Sequence, residues 1–145
     1  MRTGKHESER LMNELLPLAR RMLREFGEFH PFGGALKTDG TFTHLGATTE
    51  RDYGPSSELI KLLERDFHDR ASAGTIRAAA IVTNRSLGPS ATDEMRDAIE
   101  VRVDHVDGFS ANVYFPYALN EGQLRVESPF ATKGVAFAFG KVEDA

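Results

Sequence analysis

The chain has 145 residues, 40% of them hydrophobic and 28% charged, with a net charge of -4. That length suits one domain with its own core. The absence of cysteine excludes a disulfide framework, a thiol nucleophile and a thiolate zinc site. The acidic balance argues against nucleic-acid binding, which leaves a basic footprint.

No apolar run is long enough to cross a bilayer, and residues 1–10 are polar, without the apolar run of a secretory leader. A cytoplasmic protein is expected. Arginine outnumbers lysine 13 to 5, but the arginines are scattered, so the excess reads as codon bias rather than phosphate recognition.

Residues 8–26 carry Leu11, Leu15, Leu18, Met22 and Phe26 at spacings of three and four, widened by Met12, Leu16, Ala19 and Leu23. That is the stripe of an amphipathic helix. Pro17 lacks the N–H for its turn, so it either kinks this helix or begins a second one. Gly27 is a natural stop. Asp39 and Gly40 then turn a hairpin whose three-residue loop sets Leu36 opposite Phe42. Residues 51–56 are a polar loop, and a serine at 56 or 57 caps a second helix. Its inner face is Leu59, Ile60, Leu63, Phe67 and Ala71, and Gly74 ends it. Residues 77–82 are apolar on both faces, which marks a central strand. Residues 84–92 read as a loop.

The next hairpin is the best specified. Ile99, Val101, Val103 and His105 alternate with Glu100, Arg102 and Asp104. Phe109, Ala111, Val113, Phe115 and Tyr117 alternate in the same way with Ser110, Asn112 and Tyr114. A two-residue turn at Asp107 and Gly108 would oppose apolar Val103 to polar Asn112. A three-residue loop, with Gly108 left-handed, pairs Val103 with Ala111, Val101 with Val113 and Ile99 with Phe115. Residues 124–128 make a further strand. Val135, Phe137 and Phe139 alternate like a last one.

The expected fold is one α+β domain over residues 1–145, frayed at 1–7 and 141–145. Its order is α-β-β-α-β-β-β with one more strand, mainly antiparallel, with the helices on one sheet face. Profilin-like and roadblock-like domains share this general order, by analogy of topology only.

His30 lies in a turn before Phe32, Gly33 and Gly34, where a ligand could approach the backbone and an acid–base histidine could be backed by Glu25 or Glu28. The plainer alternative makes His30 a loop residue and the glycines room for a crossing helix. His44 and His105 fall on apolar strand faces. They either meet in a ligand pocket between the sheet and the first helix or sit as hydrogen-bonded residues near strand ends. Asp66, His68 and Asp69 do not share one helical face, so they are a poor metal set. Asp93, Glu94 and Asp97, with Arg96, form an acidic cluster that could meet a basic partner or simply be a solvated loop. Arg20, Arg21 and Arg24 form a basic patch that suits a helix C-terminus. Tyr114, Tyr117 and Phe130 belong to an aromatic surplus on the late strands, which suits an interface with a partner or a second copy.

The segment EFHPFGGALKTDG, residues 28–40, resembles a segment of small uncharacterised bacterial proteins. The runs LLPLAR at 15–20 and RAAAIV at 77–82 are similar to the same family. Some of those proteins are described as antitoxin-like or immunity-like, and the resemblance implies a binding role without implying any catalytic residue. The expected function is a non-catalytic module for a protein partner or for self-association, with no catalytic residue, metal or cofactor. The alternative is a small-molecule binder or modest enzyme using His30, His44 or His105.

Overall fold

A computed structural model describes residues 3–46, 56–86 and 97–139. Helix α1 spans Thr3–Phe26 and α2 spans Ser56–Ser72. The strands are β1 Phe32–Lys37, β2 Phe42–Gly46, β3 Ile76–Ser86, β4 Asp97–His105, β5 Ser110–Asn120, β6 Gln123–Val126 and β7 Phe130–Lys133. They form one antiparallel sheet in the order β2-β1-β3-β4-β5-β6, with β7 also on β5. The class is α+β, as expected. The loop at 51–55, most of the acidic cluster (Asp93, Glu94 and Arg96) and the tail 141–145 lie outside the described residues.

Register follows turn chemistry. Val103 pairs with Ala111, Val101 with Val113 and Ile99 with Phe115, as the three-residue loop requires. Leu36 pairs with Phe42 across the equivalent loop. Gly108 and Gly40 take φ of 103° and 92°, the left-handed position of each loop. The carboxylates of Asp39 and Asp107 then accept the backbone N–H two residues on, from Thr41 and Phe109.

The helices take opposite faces rather than one. Helix α1 buries Leu11, Leu15, Ala19 and Leu23 against Ala78, Ala80, Val82, Ile99 and Val101, on what is here face A. Helix α2 buries Leu63 and Phe67 against Ala35, Ala79 and Ile81, on face B. The physical reason is β3: a strand apolar at successive positions from Ala78 to Val82 needs a cover on each side. The adjacent glycines of β1 admit both helices at one level. A methyl on Gly33 would lie 2.5 Å from the Ala80 carbonyl oxygen and 2.9 Å from the Phe67 ring. A methyl on Gly34, pointing the other way, would lie 2.8 Å from Leu15.

Three further expectations change. Residues 3–7 are helical, not frayed, because the Gly4 N–H donates to Asp107 at 2.9 Å and Glu7 pairs with Arg77. The alternative of a second helix beginning at Pro17 also falls, since α1 runs as one helix through that exposed residue. Strand β3 continues through Asn84 to Ser86, where a loop was expected, because these residues keep pairing with Ile99, Ala98 and Asp97.

The last strand among the described residues is β7, not residues 135–139. Tyr117 pairs with Val126, whereas Tyr114 pairs with Phe130, so three residues of the edge face two of β5. This bulge at 127–129 flips the side-chain parity. Leu124 and Val126 therefore pack on face A, and Phe130 swings to face B. Gly134 still donates its N–H to the Ser110 carbonyl of β5 at 3.2 Å, and residues 135–139 form a strap across face B. The buried Asp104 Oδ2 accepts the N–H groups of Phe137, Ala138 and Phe139 at 2.9, 2.9 and 3.0 Å. Three donors on one oxygen hold the segment without strand pairing.

Gly33→Ala and Gly34→Ala should each lower the unfolding free energy by about 1–3 kcal/mol through overpacking. Urea unfolding checks this as a fall in midpoint at unchanged slope. Unchanged midpoints would show that the helices do not approach the sheet here.

Candidate functional site

Two polar constellations lie on opposite faces of the sheet. The first clasps the start of α1. Glu7, on its first turns, is met by the Arg77 guanidinium in a forked pair: Nε donates to Oε1 at 3.0 Å and Nη2 to Oε2 at 2.7 Å. The third arm of Arg77, Nη1, donates to the Thr38 carbonyl at 3.0 Å. His105 is buried beside them. Its Nδ1 accepts the Asp107 N–H at 3.1 Å, so a neutral ring carries its proton on Nε2 and donates it to Glu7 Oε1 at 2.8 Å. Asp107 in turn takes the Gly4 N–H, capping a helix that has no acidic residue in its first turn. The Arg77 hydrogen bonds hold the Glu7 carboxyl at about 2, against the desolvation that opposes them; His105 adds to the effect. Each of these polar groups has a partner inside the chain, and together they clasp the start of α1 to the sheet.

The second constellation runs across face B. Pairing places Thr83 beside Glu100, Glu100 beside Tyr114 and Tyr114 beside Phe130, a row over β3, β4, β5 and β7. Glu100 is buried, at 3% exposure. The Thr83 hydroxyl donates to its Oε1 at 2.9 Å, and Arg85 Nη1 reaches its two oxygens at 3.3 and 3.2 Å. Burial raises the pKa of the Tyr114 hydroxyl, and its hydrogen bond to Glu100 adds to this. The Tyr114 ring stacks on Phe130 with centroids 5.1 Å apart and planes at 16°. One residue pair lower, Arg102 donates to Glu64 of α2 at 2.9 Å and lies 4.9 Å over the Phe137 ring of the strap. A cleft of about 230 Å³ opens above Thr83 and Glu100, walled by Phe29, Pro31 and Ile60, with Arg85 at its rim.

The three histidines are not brought together. His30 is exposed in the loop before β1, and His44 is exposed on β2. His44 pairs with Gly34, three strands away from β4, which puts it about 14 Å from the His105 strand at the usual strand spacing. The cleft lies on the α2 face and none of its lining residues above is a histidine, so a histidine pocket between sheet and first helix has no geometry to support it. Phe32 is buried edge-to-face on Phe29 at 5.7 Å, and Gly33 and Gly34 serve helix packing. Asp66 is engaged with Arg70 at 2.8 Å, and Arg21 lies 3.4 Å from Glu25. Among the described residues no three His, Asp or Glu side chains gather as metal ligands. No described helix is long and apolar enough to cross a membrane.

Tyr117 is not a surface aromatic. It is 3% exposed on face A and donates to Asn84 Oδ1 at 2.7 Å. Burial pushes its hydroxyl up to about 12. The alternation of β5 already placed Tyr117 with Val113 and Phe115. Sequence reasoning missed Glu7 and Arg77, which are 70 positions apart, and gave Glu100, Arg102 and Asp104 only as the polar alternates of a strand. The available signal was the both-sided apolarity of β3, which forces a cover over the neighbouring row of β4.

No family model, curated protein or solved structure matches the chain. The likeness in topology to profilin-like and roadblock-like domains therefore carries no argument.

The Glu7 carboxyl lies at about 2 in the folded chain and near 4.5 when unfolded. A depressed carboxylate contributes stability above its unfolded value and loses it as pH falls through the folded value. Stability should thus fall by on the order of 3 kcal/mol as pH drops from 4.5 to 2 on this account. Glu7→Gln should lack that share of the slope, so the two unfolding curves converge in acid. Parallel curves would show that Glu7 is not the anchoring carboxylate.

Proposed function

We propose that the chain is a non-catalytic binding module for a protein partner, using the open half of face B. Helix α2 lies over β1 and β3, and the strap lies over β4. Among the described residues neither reaches the Tyr114–Phe130 stack, where Phe130 is 48% exposed. That stacked pair on a sheet half left open by both covers is the observation that carries the reading. Stacked aromatics offer a rigid, amphipathic contact area at small entropic cost, as interface anchors do.

The contact is made by the face, not by strand addition. The bulge at 127–129, Pro129 and Lys133 interrupt the outer edge, as edges protected from extension commonly are. The family resemblance of residues 28–40 points the partner toward a toxin-like protein, with this chain antitoxin- or immunity-like. A second copy of the chain is the other protein that could lie there.

A photoreactive phenylalanine analogue at position 130 tests the reading in the cells that make the protein. One adduct of defined mass should form there and not from Leu62, an exposed apolar residue of α2. An adduct of twice the chain mass would identify the partner as a second copy. No adduct, or equal adducts from both positions, would remove the reading.

A further inference from the structure

We infer that the cleft over Glu100 is a socket for a basic side chain, the guanidinium or ammonium group of the partner segment that lies on face B. This rests on the protein-binding reading and adds the chemistry of what is bound.

Among the described residues two buried glutamates meet an arginine, and they do so differently. Glu7 receives both prongs of Arg77 at 3.0 and 2.7 Å, a closed fork. Glu100 receives only Nη1 of Arg85, at 3.3 and 3.2 Å, and the Arg85 side chain is 54% exposed. Of the roughly four acceptor sites of this carboxylate, the Thr83 and Tyr114 hydroxyls take one each, and Arg85 covers the rest. At Glu100 one cation holds its place by a single nitrogen, from the solvent side. Arg85 therefore neutralises the buried charge while the site is open and can swing out when a better-seated cation arrives.

The surroundings suit a long basic side chain. Phe29, Pro31 and Ile60 give the stem an apolar passage, and Thr83 and Glu100 lie at the floor. The volume, about 230 Å³, is below the roughly 300–1,000 Å³ of ordinary small-molecule pockets and fits one side chain. Glu100 and Phe130 stand two strands apart in the same row, about 10 Å at the usual spacing. A segment anchored on the aromatic stack can thus deliver a neighbouring side chain into the cleft. The net charge of -4 favours a basic partner on encounter.

The probe is N-acetyl-L-arginine amide, titrated into the full chain and followed by amide NMR. N-acetyl-L-norleucine amide is the uncharged control and phosphate the anion control. Saturable shifts are expected at Thr83, Glu100 and Tyr114 with the arginine probe alone. Arg85→Ala should tighten binding about fivefold or more by removing the competing cation, and Glu100→Gln should weaken it about tenfold, as loss of a charge-assisted hydrogen bond does. Glu100→Gln should also reduce the adduct formed from position 130. Arg85→Ala leaves the buried carboxylate in place, so it decides the matter even if Glu100→Gln folds poorly. The socket is overturned if Arg85→Ala shows no saturable shift. It is equally overturned if norleucine amide binds as well, if phosphate binds through Arg85, or if the adduct is indifferent to Glu100. An adduct at position 130 beside a failed titration would leave the protein-binding reading standing and remove only the socket. An absent adduct would remove that reading whatever the probe does.

Discussion

Three successive amides of the C-terminal strap point at one oxygen of Asp104, and the arrangement of face B depends on that contact. Asp104 is 1% exposed, in the strand at the middle of the sheet. A carboxylate so placed must be met by donors inside the protein, because burying it unpaired would cost several kcal/mol. The strap supplies them. In doing so it lays Phe137 against Phe67 of α2, with ring centroids 6.3 Å apart, and beneath Arg102. Strap, second helix and strand β4 are joined through this one row of charges.

The same row explains why, among the described residues, one end of face B is closed and the other open. Asp104 is satisfied by the strap, and Arg102 by Glu64 and the Phe137 ring. Glu100 stands at the end of the row beyond the strap, where its arginine partner comes from the exposed side. On face A the polar groups are arranged for closure. Glu7, Arg77, His105 and Asp107 tie the first turns of α1 to both hairpin loops. One face thus fastens the fold, and the other carries the surface proposed to meet a partner.

Much of the fold was legible in local chemistry. The parity of Val101 and Val113 around a loop containing Gly108 determined the hairpin register, because a slip of one residue would have turned every side chain over. The stripe from Leu11 to Leu23 determined the inner face of α1. The helix placement went astray although Ala79 and Ile81 are as apolar as Ala78 and Ala80; that symmetry demands a helix on each face. Phe130 was picked out as a contact residue, but its facing was not readable, since it depends on a bulge that no alternation pattern announces. The cover over the charged residues of β4 was not legible, because polar alternation ordinarily means an open face. Their cover comes from residues 135–139, which carry the alternation of a strand yet pair with no strand. Glu7 and Arg77 left no local trace at all, as their partnership exists only once the sheet has formed.

The central claim is that a buried carboxylate, not strand pairing, holds the strap on face B. Native-state hydrogen exchange of the amides of Phe137, Ala138 and Phe139 tests it most directly. In the unmodified chain they should be protected well above exposed, unpaired backbone, and in Asp104→Ala they should exchange at nearly the unprotected rate while the amides of β3 and β4 remain slow. Fast exchange at these three positions in the unmodified chain would contradict the account.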